Sequence, residues 1–335
     1  MATIVEVSTW AELRTALSTS TQDTKTIKIT ADIDCNDEIP TGVGSTITCY
    51  GSVSYMTTVD GSYTVGEETR NHVIRNLRTN VSNPVNIFNI QSNKESGSGR
   101  ACGITFKNID FINLILMGGA LIGSYNDSII GGRKININKC RFVGRRNQYL
   151  FNGKSDTGVS DDSTYLLMTS SFFNIPYFPT TTENTYVPLV GEWTGTNTYI
   201  RAQFCWFRHS YNGWSITNNN NYQTYTRYMQ MNGCYNDGEI VGANGLEITQ
   251  KYSYASPIQN VVDCDIKLLS GSNTSTIYAP KGIWRDHVVD FNNPSTQYTD
   301  CVNGNSSLAI KVTPESNMTS PTWLSEHGFD IVVPD

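Results

Sequence analysis

Two pairs of carboxylates have a spacing that could support acid and base chemistry. Asp161 and Asp162 are adjacent in SDTGVSDDST, and Asp263 and Asp265 flank Cys264 in VVDCDI. Cleaving a glycosidic bond takes two such groups about 5 to 10 Å apart, one to give a proton and one to accept it or attack. If Cys264 points inward on a strand, Asp263 and Asp265 both project from the opposite face, about 7 Å apart. Any solvated strand can show the same arrangement, and the surroundings of Asp161 and Asp162 read as a solvated loop. His209 in FRHSYNGW and His287 in IWRDH have no serine or cysteine motif beside them to suggest a nucleophilic triad.

Aromatic residues offer a second kind of chemistry. Between residues 177 and 235, Tyr, Trp and Phe are interleaved with Asn, Thr, Gln and Arg. Flat rings stack on sugar faces while amides and hydroxyls meet sugar hydroxyls, which makes Trp193, Tyr199, Trp206, Tyr211, Trp214 and Tyr222 candidates for carbohydrate contact. Core packing and subunit contacts draw on the same residue types. The eight cysteines include no C-x-x-C pair, so neither a metal site nor a cofactor is expected. Cys140, Cys205 and Cys264 fall inside alternating runs and are expected as reduced core thiols, with a disulfide as the alternative.

These side chains must be positioned by strands. Of 335 residues only 16% are charged, while Asn, Thr, Ser and Gly carry the polar fraction and 18 Tyr are present. That composition favours strands and turns over helices. A net charge of −6, with no basic run longer than Arg145-Arg146, argues against nucleic acid as a partner. No window approaches the ~18 apolar residues of a membrane span. The start, MATIVEVSTWAELRTAL, lacks the basic region and apolar core of a secretory signal, so synthesis in the cytosol without a signal peptide is expected.

The alternating segments repeat. In CGITFKNIDFINL, residues 102–114, apolar and polar side chains alternate, and the pattern returns along the chain. Phe111, Phe142, Phe173, Phe207, Tyr235 and Ile266 serve as anchors at intervals of 31, 31, 34, 28 and 31. Two residues before most anchors stands Ile109, Cys140, Ser171, Cys205 or Cys264. Period-2 alternation within segments and near-constant spacing between them point to a β-solenoid, in which each turn buries its apolar face against its neighbours. A large antiparallel sandwich is the rival. The break in alternation between Phe106 and Ile109 is expected to be a corner between sheets.

The segments ITFKNIDFIN, 104–113, and INKCRF, 137–142, resemble turns of the right-handed parallel β-helix, the pectin-lyase-like superfamily. The resemblance spans residues 26–275 and implies an all-β, right-handed parallel β-helix solenoid. Residues 1–25 are expected to form an N-terminal strand and capping helix, with Thr9 as N-cap, Glu12 completing a capping box, and Trp10, Leu13 and Leu17 on one face. Residues 276–335 are expected as irregular coils and a C-terminal capping segment. There Ser320, Pro321, Trp323, Leu324 and Gly328 outline a short helix, and a strand from Phe329 to Val333 follows.

Enzymes of this superfamily cleave acidic polysaccharides, but the motifs here are incomplete. The polygalacturonase-like family carries an Asp-Asp pair, yet the accompanying Gly-His-Gly and Arg-x-Lys elements are missing around Asp161-Asp162. Ile283 to His287 is similar to the pectate-lyase W-I-D-H signature but has Arg285 in place of its apolar residue. The reading favoured is therefore a non-catalytic virion or fibre-like surface protein, resembling phage β-helix proteins. It would assemble as a homotrimer, attach to other virion proteins and contact host-surface carbohydrate. A polysaccharide depolymerase and a purely structural decoration or adaptor protein are the alternatives.

Overall fold

Strands whose side chains alternate in polarity bury one face only when a neighbour repeats the same pattern, and parallel pairing lets like residues meet like. The computed structural model follows that rule. It describes residues 3–19, 24–35, 47–50, 56–79, 86–91, 102–123, 133–152, 163–176, 189–191, 197–208, 226–232, 235–236, 246–251, 254–255, 265–267, 277–279, 309–311 and 320–326. Among these the chain is all-β apart from two short helices, α1 (Trp10–Ser18) and α2 (Pro321–Glu326).

Three sheets dominate, each of parallel strands taken in chain order. The first runs Thr3–Val7, Lys25–Ile29, Thr57–Asp60, Cys102–Lys107, Arg133–Asn138, Ser163–Thr169, Asn197–Gln203, Thr226–Asn232, Leu246–Lys251 and Asp265–Lys267. The second contains Ile33–Asp34, Glu68–Arg75, Ile109–Leu116, Arg141–Arg146, Phe172–Asn174, Trp206–Arg208, Tyr235–Asn236 and Tyr254–Ala255. The third contains Ile47–Tyr50, Phe88–Gln91, Ile122–Gly123, Phe151–Asn152 and Val190–Gly191. From residue 102 to 191 the chain visits first, second and third sheet in rotation.

Inward residues of all three sheets form one hydrophobic cluster. In the second sheet Phe111, Phe142, Phe173 and Phe207 are in register. Their rings stack at 5.0, 5.0 and 4.8 Å with nearly parallel planes. Such stacking adds about 0.5–1.5 kcal/mol per pair beyond the area buried. Ile104, Ile135, Leu166 and Ile200 form the matching row of the first sheet. Cys140 and Cys205 are buried free thiols, and Cys35 is buried with them in the core. Burial pushes the Cys140 thiol up to about 12, so it is an inert packing residue.

The corner between first and second sheets is a row of left-handed residues. Asn108, Lys139, Ser170 and Phe204 have φ of 54, 51, 47 and 52°. Each immediately precedes the inward row Ile109, Cys140, Ser171 and Cys205, as the break in alternation predicts. The corner is propagated by backbone hydrogen bonds from Asn108 N to Asn138 O, Lys139 N to Thr169 O, and Ser170 N to Gln203 O.

Two anchors of the sequence repeat fall elsewhere. Tyr235 pairs with Trp206, and Asn236 stands opposite Phe207, so the phenylalanine row does not continue into Tyr235. The 28-residue interval is the cause, because a one-residue slip moves a side chain to the other face. Ile266 pairs with Ile248 in the first sheet. First-sheet strands begin at Thr226, Leu246 and Asp265, so a count of 31 overshoots these shorter repeats.

Helix α1 closes one end of the cluster. Glu12 N donates to Thr9 Oγ1 at 3.2 Å, while Thr9 N and Ser8 N donate to Glu12 Oε2 at 3.1 and 2.7 Å. Trp10, Leu13 and Leu17 are fully buried, and the Trp10 ring meets Phe88 edge-on at 6.0 Å. The buried Lys25 ammonium donates to the Ala16 and Thr19 carbonyls, satisfying acceptors at the helix C-terminus. In α2, Trp323 N donates to Ser320 Oγ at 3.3 Å, the expected cap. The strand expected at 329–333 lies outside the described residues. Within 276–318, Ile277–Ala279 pairs in parallel with Ala309–Lys311.

Candidate functional site

Outward-facing rows are where the sheets can meet a ligand, and register decides which residues share them. In the first sheet, Tyr165, Tyr199 and Tyr228 are successive partners, followed by Glu247 and Asp265. Tyr165, half-buried beside the buried Leu166, is on the outer side of the pleat, and the other four share its register row. Two residues that the sequence nominated separately, Tyr199 for carbohydrate and Asp265 for acid and base chemistry, thus share one register row, three strands apart. Asp161, Asp162, Asp263, Trp193, Tyr211, Trp214 and Tyr222 lie outside the described residues, as do His209 and His287.

Trp206 belongs to the outer row of the second sheet, in register with Arg141, Phe172 and Tyr235. It is 4% exposed and meets Phe172 edge-on at 5.9 Å and 87°. A ring that deeply buried offers no face to a sugar.

Toward the N-terminus the same outer row becomes polar, where Val73 pairs with Asp110 and Asp110 with Arg141. Asn71 Nδ2 donates to Asp110 Oδ1 at 2.8 Å, and Arg141 Nη1 lies 3.5 Å from Asp110 Oδ2. Asp32 Oδ1 accepts from Val73 N at 3.0 Å and lies 3.1 Å from His72 Nδ1, while Arg75 Nη2 donates to Oδ2 at 3.3 Å.

The two carboxylates titrate in opposite directions. Burial raises Asp110, reinforced by the charge of Asp32 and only partly offset by Asn71 and Arg141. For Asp32, burial acts in the same direction but is outweighed by the Val73 amide, His72 and Arg75, so its carboxyl is lowered. Residue types hinted at this patch only weakly: Asp110 between inward Ile109 and Phe111 must face outward, but Asp32 and His72 are far away in the chain.

Beside the patch stands the sole antiparallel pair among the described residues, Ser62–Val65 against Glu68–Arg75. Gly66, at φ 62°, supplies the left-handed residue that its turn needs. Residues 63–70 are exposed. Tyr63 stacks on His72 with centroids 4.4 Å apart, and Arg70 Nη2 contacts Glu68 Oε2 at 2.9 Å. A groove of about 620 Å³ lies between Thr3–Val7 and α1, but Glu12 and Lys25 on its wall already cap the helix. Among the described residues no group of three His, Cys, Asp or Glu could hold a metal, and no helix is long and apolar enough to cross a membrane.

Residues 4–117 match the family model described as "Putative pectate lyase-like adhesive domain". The matched span takes in α1, the hairpin, Asp32, His72 and Asp110, and ends before Arg141. It supports the pectin-lyase-like β-helix superfamily and an adhesive or carbohydrate-related role at a surface. No curated protein and no solved structure matches the chain.

Proposed function

We propose that the three parallel sheets are the walls of a right-handed parallel β-helix, and that the chain is a non-catalytic surface adhesive protein contacting carbohydrate along its outer faces. The observation that carries this is the register row Tyr165, Tyr199 and Tyr228, one tyrosine at the same position of three successive strands at the ~4.8 Å strand spacing. The adhesive-domain match supports it. Rotation through the sheets in constant order fits a solenoid, and parallel crossovers are right-handed in nearly all proteins. Homotrimeric assembly and display on a virion belong to the same proposal, and the mass in solution tests the first. Binding of neutral and acidic oligosaccharides by wild type, Tyr199→Ala and Tyr228→Ala is the central test. The expected result is binding by wild type and a loss of tenfold or more in each variant; failure of wild type to bind any glycan overturns the proposal.

A second reading, polysaccharide depolymerase, is favoured by the placement of two carboxylates beside one residue, Val73, which pairs with Asp110 and donates its N–H to Asp32, and by their opposite titration. A carboxyl raised by burial can give a proton to a leaving oxygen while one held ionised activates water or attacks. Release of reducing ends from a polysaccharide, abolished by Asp110→Asn, would establish it.

A further inference from the structure

We infer that the hairpin of residues 62–75 and the polar patch beneath it form a separate carbohydrate-binding site that takes a neutral pyranose and disfavours uronates. The inference rests on the carbohydrate reading of the chain, but names a different place and a ligand class.

The projecting part of the hairpin adds nothing to the core, to which only Ile74 at its base belongs. Its residues 63–70 are exposed, and it interrupts an otherwise parallel arrangement. What it supplies is a mounted ring. One face of Tyr63 lies on His72, at 4.4 Å and 29°, and His72 is itself fixed by Asp32 at 3.1 Å. Tyr63 is still 37% exposed. A tyrosine held from behind and open in front suits the apolar face of a pyranose, because little rotamer entropy is lost on binding. Arg70, bonded to Glu68, is the cross-strand partner of Tyr63, and Asp32 holds His72 behind it, so donors and acceptors flank the ring as vicinal hydroxyls require, while Asn71, on the other face of the strand, bonds Asp110.

Charge decides the class of sugar. Every guanidinium of the patch is already engaged by a carboxylate of the patch: Arg70 by Glu68 at 2.9 Å, Arg75 by Asp32 at 3.3 Å and Asp34 at 3.9 Å, and Arg141 by Asp110 at 3.5 Å. A uronate could take one of these cations only by leaving a protein carboxylate unpaired beside it. With Glu67 in the turn, Lys139, whose carbonyl accepts from Asn71, and Lys28, which donates to Ser62 and shares Asp60 with Lys107, the carboxylates and cations around the hairpin balance, with His72 apart, so no surplus of positive charge is left for a uronate. A neutral sugar meets hydrogen-bonding partners without this penalty.

The test is titration of the full chain with neutral glucan, galactan, mannan and xylan oligosaccharides and with oligogalacturonate. The unfolding midpoint of each variant is followed alongside. Wild type is expected to bind at least one neutral series and to bind oligogalacturonate at least tenfold more weakly. Tyr63→Ala should weaken neutral binding tenfold or more with an unchanged midpoint, and Tyr63→Phe should retain it. Undiminished binding in Tyr63→Ala, or preference for oligogalacturonate, overturns this site while leaving the adhesive reading intact. If only Tyr199→Ala and Tyr228→Ala lose binding, the tyrosine row alone is the site. Absence of all glycan binding in wild type removes both.

Discussion

The second sheet presents two rows of side chains from the same strands, and the rows differ in everything but spacing. Phe111, Phe142, Phe173 and Phe207 repeat one residue on the inside, while Asp110, Arg141, Phe172 and Trp206 change at every step on the outside. Backbone, register and twist are shared, so the contrast comes from the neighbours alone. Inside, a ring's neighbour is the equivalent position of the next repeat, and identical rings stack without voids. Outside, the neighbour is solvent, a covering segment or a ligand, and nothing favours repetition. In this sheet repetition therefore marks the inner stack, and departure from it marks the outer face.

The comparison breaks most directly at Phe142, which is stacked on both sides and meets Phe151 edge-on at 6.0 Å. Phe142→Ala is expected to cost about 3–5 kcal/mol in denaturant unfolding, whereas Arg141→Ala, one residue away but 40% exposed, should cost about 1 kcal/mol or less. Similar losses for the two would show that the inner row is not what holds the repeats together.

A smaller effect is expected where an outer row does repeat by charge. Lys28, Asp60 and Lys107 are in register across three strands of the first sheet, with Asp60 Oδ2 at 3.5 and 3.1 Å from the two ammonium groups. Burial raises the Asp60 carboxyl, but Ser62, Lys107 and Asn108 outweigh it and lower it to about 2. The unfolded chain titrates near ~3.9. The contribution is therefore fully present above about pH 4 and is lost as pH falls through about 2. Partners roughly a third exposed reduce it to about 1–2 kcal/mol. Asp60→Asn should lower stability by that amount at pH 7 and by almost nothing at pH 2, measured by urea titration at both; an equal loss at both pH values would remove the ionic explanation.

The smallest effect tests the corner. Phe204 holds a left-handed conformation that costs most L-residues about 1–2 kcal/mol and that Asn tolerates, as Asn108 does in the same row. Phe204→Asn should raise the thermal midpoint by a few degrees at most, partly offset by lost packing of a half-buried ring. A clear fall in the midpoint would mean that the ring's contacts outweigh its backbone strain.

What could be read from residues alone follows the same division. The phenylalanine row, the corner before Ile109 and the capping box at Thr9 depend on neighbours in sequence or on a fixed repeat, so spacing revealed them. The phase after Phe207 did not survive, because shorter repeats move Tyr235 and Ile266 to other places. The polar patch was hidden: Asp32, His72, Asp110 and Arg141 become neighbours only through the pairing of three strands and the intrusion of a hairpin. Trp206 shows the converse limit, since residue type suggests a sugar platform while packing against Phe172 buries the ring. The virion reading drew on motif resemblance and on sequence-level signs such as low charge, not on contacts that the fold makes visible.

The left-handed corner has a consequence for how this chain can change. From Phe106 to Ile109, Ile137 to Cys140, Met168 to Ser171 and Ala202 to Cys205, the step between inward residues is always three, whereas the stretches joining Gly123 to Arg133, Asn152 to Ser163 and Gly191 to Asn197 differ in length. The corner is a ruler, while these other joins vary in length. An insertion at the ruler would turn a sheet's side chains inside out, whereas the joins already differ in length while the strands that follow them keep unbroken register. Chain length can therefore change between Gly123 and Arg133, Asn152 and Ser163 or Gly191 and Asn197 with the pairing of the next strand kept.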